Sequence, residues 1–215
     1  MSVDAYALAG RGVRVPRPDC AACGAAMTFW SGYWRHVRAV GGRCSKIFVP
    51  RARCAGCAVT HALLPGFVLA HRVDEVATVG TVLELVIDGP GGVRPAAERV
   101  GVPHTTARGW LRRLGGRATR LAVGFAALVV ELGGDPVSPG ADVRRWALAA
   151  IRAAFRAATA LPGWAALGRW RFVCCVSGGR LLAANTAWPY LVVGKRRFLP
   201  PVPAADRRDG GRDGP

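Results

Sequence analysis

The sequence predicts a mixed fold: a small β ribbon, then an all-α unit, then a mainly helical C-terminal region with a short β-hairpin. Three observations predict it. Two Cys-x-x-Cys pairs, Cys20 with Cys23 and Cys54 with Cys57, bracket short segments rich in β-branched and aromatic residues. From Val76 to Leu114 apolar residues recur at helical spacing, interrupted by glycine-containing turns. From Ser138 to Leu161 a long apolar stripe runs through an arginine-rich stretch of helical period. The expected division is an N-terminal arm over 1–17, a ribbon over 18–62, a three-helix unit over 72–118, a helical region with a hairpin over 119–203, and a polar tail over 204–215.

Charge narrows the choice of partner. Thirty Lys and Arg stand against thirteen Asp and Glu in 215 residues, a formal charge of +17 and a sequence pI near 11.3. Lys46 and Lys195 are the only lysines. Such a surface calls for a polyanion, and the guanidinium fork suits phosphates and base edges bidentately. The longest apolar stretch, from Leu121, runs about ten residues before Glu131, against the roughly 20 a spanning helix needs. The N-terminal residues lack a basic start followed by an apolar core, so no secretory signal is expected. The expectation is a soluble, cytoplasmic protein with reduced cysteines, no membrane partner and no small-molecule substrate.

The first element is the ribbon. Cys20, Cys23, Cys54 and Cys57 supply four soft thiolates, the number tetrahedral zinc prefers. A redox centre needs one pair opening a helix, and neither pair has that setting. Gly24 follows the first knuckle and Gly56 sits inside the second, where a small residue lets backbone N–H groups turn toward sulfur. "FWSGYWRHVRAV" and "SKIFVPRARC" read as strands between them. A structural zinc ribbon is expected; unrelated buried thiols are the alternative, and Cys44 or His61 lies close enough in sequence to replace one ligand.

The second element is a helix over Val76 to Ile87, ended by "DGPGG". A short helix from about Arg94 to Val100 follows and stops at Gly101, which accepts the positive φ of a sharp interhelical turn. A third helix starts near Pro103. On it Ala107, Trp110, Leu111 and Leu114 share one face, while Thr105, Arg108 and Arg112 point away. Small Ala97, the glycine turn and the Trp110 anchor together follow helix-turn-helix logic, with the third helix entering the major groove of double-stranded DNA. His104, Thr105 and Thr106 sit at its base-reaching end; Arg108 and Arg112 pair with guanine or phosphate; Arg113 and Arg117 suit backbone phosphate. The competing interpretation is a small helical core with a solvated basic face.

In order, "CAACG", "RARCAGCAVTHALLP" and "AAERVGVPHTTARGWLRRL" resemble the zinc-ribbon and helix-turn-helix front end of ISL3-type bacterial transposases. They resemble still more an uncharacterised, transposon-associated family that carries this front end without a catalytic domain, and "SGGRLLAANTAWP" is similar to a later segment of that family. The resemblance implies zinc-supported DNA binding, with Cys20, Cys23, Cys54 and Cys57 as ligands. Pro103 departs from it, standing where many such motifs carry a capping Ser.

The C-terminal region begins with Ser138 as an expected cap, Pro139 in the first turn and Asp142 near the positive end of the helix. Its stripe of Val143, Trp146, Ala147, Ala150, Ile151, Ala154 and Phe155 packs on the Leu121–Leu132 helix or on a second copy in a homodimer. "WRFVCCVSGGRLLAANTAWP" reads as a β-hairpin or buried strand, with Cys174 and Cys175 as core thiols. Beyond the third helix the acids are Glu131, Asp135, Asp142, Asp206, Asp209 and Asp213. That set lacks the strand-borne carboxylates that two-metal phosphoryl chemistry requires, so no enzyme is expected. A regulator or transposition accessory is the leading expectation; an RNA- or protein-binding adaptor and a catalytically dead transposase remnant are the alternatives.

Overall fold

The computed structural model describes residues 1–17, 19–20 and 23–183. The expected tail, the last six residues of the expected hairpin segment and the rest of the C-terminal region from 184 lie outside the described residues. Among the described residues the architecture is mixed: a three-stranded antiparallel sheet and seven α-helices.

Strands β1 (Met27–Arg38), β2 (Cys44–Cys54) and β3 (Thr60–Ala62) pair in the order β1-β2-β3. The β1–β2 turn is set by Gly41 and Gly42, with φ of 87° and 86°, a region closed to most other residues. A bulge at Trp30 shifts the register between Phe29 and Ser31. Phe48 lies across Gly32 on the neighbouring strand, where an added Cβ would come within 2.1 Å of its ring. The segment expected as an arm contains α1 (Val3–Ala9), capped by Ser2 Oγ, which accepts from the Ala5 N–H at 3.2 Å. Val3 and Tyr6 of this helix join Val37, Ile47 and Val49 of the sheet in one apolar cluster with Phe67 and Val68.

The helical layer comprises α2 (Val76–Ile87), α3 (Val93–Val100), α4 (His104–Gly115), α5 (Ala118–Glu131), α6 (Val143–Thr159) and α7 (Arg169–Val176). Its core is continuous from Leu69 to Leu182. The α6 stripe packs extensively on α5: Ala147, Ala150, Ile151 and Ala154 are buried there.

Three expectations need correction. The α6 cap is Asp142, not Ser138: its carboxylate accepts from the Arg144 and Arg145 N–H groups at 2.8 and 3.3 Å, so the helix starts four residues beyond Pro139. The Trp170–Val176 part of the expected strand or hairpin is helical. Gly168 on one side and Gly178 and Gly179 on the other take positive φ and close the segment into two turns. Trp170, Phe172, Val173, Cys174 and Val176 are then buried against the rest of the layer. A short apolar run buried on most sides has no period of its own, so β-branched content misleads. Of the two expected core thiols only Cys174 is one: it donates to the Val68 carbonyl at 3.3 Å and burial pushes its pKa up, whereas Cys175 is exposed because helical period turns it away from that side.

Paired charges fix the sheet to the helices. Arg38 on β1 donates to Asp74 at 2.7 Å, and Arg171 on α7 donates to Glu75 at 3.1 Å; the two acids are only 2% and 6% exposed. Backbone bonds run both ways beside them, Arg38 N–H to Val73 at 2.7 Å and Glu75 N–H to Arg38 at 2.9 Å. Removing either arginine leaves a buried carboxylate uncompensated, so the joint holds one orientation.

Candidate functional site

The cysteine end of the sheet is built from two turns of one design. In the first, the Cys20 N–H donates to Ala25 at 2.8 Å and the Gly24 N–H donates back to Cys20 at 2.9 Å. In the second, the Cys54 N–H donates to Val59 at 2.9 Å and the Ala58 N–H donates back to Cys54 at 3.1 Å. Each turn needs a left-handed residue four places after its first cysteine, and these are Gly24 at φ 76° and Ala58 at φ 58°. Ala58 is therefore a structural residue of the site that sequence reasoning missed, because alanine carries no signal of positive φ. Gly56, by contrast, acts as the sequence suggests: its N–H donates to Cys54 Sγ at 3.3 Å.

The turns bring Cys20, Cys23, Cys54 and Cys57 together, with all four sulfurs within 4.8 Å of one another. Cys20 and Cys57 are 3.5 Å apart, and Cys23 and Cys54 are 3.4 Å apart. Zinc–sulfur bonds of about 2.3 Å at tetrahedral angles place sulfurs about 3.8 Å apart, so the donor set fits one such ion. Cys44 and His61 do not join: Cys44 sits at the far end of the hairpin, 3.7 Å from His36 Nδ1.

The thiol pKa values are compatible with a cation at this site. N–H groups of Cys57 and Gly56 aimed at Cys54 hold its pKa below the ordinary thiol value. The N–H of Val59 favours the Cys57 thiolate, yet the sulfurs of Cys20 and Cys54 push its pKa up to about 12. Backbone N–H groups thus favour the Cys54 thiolate while neighbouring sulfurs disfavour that of Cys57, a balance that a positive ion among the four would shift toward thiolate.

The second candidate surface is α4. Thr105, Arg108 and Arg112 are exposed along one line of the helix, while Ala107, Trp110, Leu111 and Leu114 are buried beneath it. His104 and Thr106 are half-buried. Arg113 is exposed but lies to one side, its Nη1 donating to Gly109 at 3.1 Å. The helix follows α3 through Gly101, whose φ of 74° makes the turn, and Ala97 is buried at their crossing. Pro103 occupies the cap position; it has no capping side chain, and its carbonyl accepts from the Thr106 and Ala107 N–H groups at 2.9 and 3.1 Å.

Between α4 and the sheet lies a groove of about 1090 Å³ that sequence reasoning did not anticipate. Arg112 and Arg113 line it from the helix, Arg117 from just beyond its end, Arg35 from β1, and Arg72 and Arg180 from connecting segments. Their positions in the chain are too far apart for any local pattern to connect them.

Among the described residues no helix is long and apolar enough to cross a membrane. No curated protein and no solved structure matches the chain. Residues 20–109 match a family described as "Domain of unknown function (DUF6431)", and this similarity, over less than half of the chain, runs from the first zinc-type knuckle into α4.

Proposed function

We propose that the protein binds double-stranded DNA, with α3 and α4 as a helix-turn-helix, α4 as the reading helix and the four-cysteine sheet as a zinc ribbon that holds a fold and performs no chemistry. The observation that carries this reading is the exposed line of Thr105, Arg108 and Arg112 on a helix whose opposite face is locked into the core. A helix presented this way matches the width of the major groove, and its arginines match guanine edges. The charge of +17 supports a polyanionic partner. His104, Thr105 and Thr106 are the candidates for base contact at the N-terminal end, and Arg113 for phosphate. The biological roles that fit are transcriptional regulation and accessory action in transposition, in the cytoplasm, and the transposase-like resemblance belongs to this proposal.

Zinc would be held by Cys20, Cys23, Cys54 and Cys57. Four thiolates leave no open coordination position, so the ion would supply rigidity only. The protein would therefore act by binding, without catalysis.

Selection from a random duplex pool tests the reading. The wild type should enrich one motif, because each bidentate arginine–guanine pair discriminates by about 1–3 kcal/mol. The Arg108→Ala, Arg112→Ala variant should lose that motif while keeping weaker, unselective binding. A folded wild-type protein that enriches nothing overturns the reading.

A second reading has one observation in its favour. Trp30 is 62% exposed and Trp34 41% exposed on the sheet, with Arg53 and Lys46 over their rings at 5.0 and 5.6 Å. Exposed rings beside cations suit unstacked bases, so an RNA-binding adaptor would use this face and leave α4 unused.

A further inference from the structure

The groove beside α4 gathers positive charge from separate parts of the chain. Arg35 comes from β1, Arg72 from the segment before α2, Arg112, Arg113 and Arg117 from the end of α4 and just beyond, and Arg180 from the turn after α7. No Asp or Glu is among the described residues that line it. A smaller groove of about 210 Å³ shares His71, Arg72 and Arg113 with the first and continues to Thr105 and Thr106 at the start of α4. The carboxylate among its described residues, Asp74, is taken by Arg38 at 2.7 Å. An arginine-lined path therefore flanks α4 over its whole length, about 18 Å for twelve residues.

The path is unfavourable for the protein alone. Burial, with Arg113 adding to it at Arg72, lowers the pKa of Arg72, and burial lowers that of Arg35. Arg72 Nε and His61 Nε2, both on residues lining the groove, are buried without a hydrogen-bond partner. Arg35 is meanwhile aimed by its own bond to the Arg72 carbonyl. Charge concentrated where no described lining residue offers a carboxylate, together with the unpaired Arg72 Nε–H, calls for an anion. A single small anion would engage one end of the path only. A strand of nucleic acid, with a phosphate for about every 3.4 Å of axis, offers three to five along about 18 Å.

We infer that this groove holds the sugar–phosphate backbone of one strand of the DNA duplex, so that the sheet and the turn after α7 clamp the strand lying beside α4. The inference rests on the reading of α4 proposed above. It assigns Arg35, Arg72, Arg117 and Arg180 to phosphate contact and makes the ribbon one wall of the clamp in addition to its structural role. The Arg38–Asp74 pair ties that wall to the segment before α2, and Arg171–Glu75 ties α7 to the same segment.

Fluorescence anisotropy with a labelled duplex carrying the selected motif, repeated over a range of salt, tests it. The Arg72→Gln, Arg180→Gln variant should bind about 10- to 100-fold more weakly at ~0.1 M salt, and its slope of log affinity against log salt should shrink by about 1.8, two phosphates' worth. Motif preference should stay as in the wild type, because phosphate contacts carry no base information. Arg72→Lys with Arg180→Lys should keep the wild-type slope. If the glutamine pair does not fold by circular dichroism, Arg180→Gln alone, at an exposed position, should lower the slope by about 0.9. A folded glutamine variant with the wild-type slope and affinity overturns the clamp and leaves α4 as the reader. A wild-type affinity indifferent to salt overturns both.

Discussion

Cys54→Ala should release the metal and unravel the cysteine end of the sheet. Cys54 is the best-placed thiolate of the four: it is buried, it ends β2, and N–H groups of Cys57 and Gly56 point at its sulfur. The apolar cluster at this end is small, containing Cys20, Met27, Ala52 and Cys54, two of which are themselves ligands. Apolar burial alone cannot hold two tight turns there, whereas structural zinc contributes about 10–16 kcal/mol in finger peptides. Elemental analysis should find one zinc in the wild type and well under one in the variant. Far-UV circular dichroism should show loss of strand signal, with helical signal kept, because the helical layer has its own core from Leu69 to Leu182. A metal-free wild type with an intact sheet would show that the four cysteines hold no structural ion.

Gly80→Ala should destabilise the helical layer although it improves helix propensity. In an exposed helix that change gains about 1 kcal/mol. Here the new Cβ would lie 2.0 Å from two ring carbons of Trp170, a side chain only 8% exposed. The ring must move out of the α2–α7 contact, and overpacking of this kind costs about 1–3 kcal/mol or more. The clash outweighs the propensity gain by about 1–2 kcal/mol, and a fall in Tm of roughly 2–8 °C is expected for a chain of this size. Trp170→Leu should be damaging in the wild type and much less so in the Gly80→Ala background, a coupling that a double-mutant cycle reads directly. A rise in Tm for Gly80→Ala would mean that α7 does not pack where it is described.

These two sites also mark what the sequence discloses. The zinc-type knuckles and the Gly101 turn are legible because the chemistry is local: ligand spacing and positive φ are set within a few residues. The line of Thr105, Arg108 and Arg112 is legible for the same reason, through helical period. Gly80 is silent in sequence, since its role appears only when Trp170 arrives from ninety positions away. The α7 helix is hidden by its β-branched residues, and tertiary burial overrides their preference. Ala58 is hidden because the turn imposes a backbone conformation that alanine does not advertise. The groove is the extreme case, its arginines scattered from Arg35 to Arg180 and assembled only by the fold.

The central claim is that α4 and its flanking arginines bind duplex DNA. The most direct measurement is a competition between duplex DNA, single-stranded DNA and RNA of one sequence for the zinc-loaded full chain, followed by anisotropy as salt rises. The account predicts that duplex DNA wins and that its log affinity falls with log salt at a slope of about −3 to −5, as several phosphate contacts require. Preference for RNA or single strands, or no duplex binding by folded, zinc-loaded protein, would contradict it.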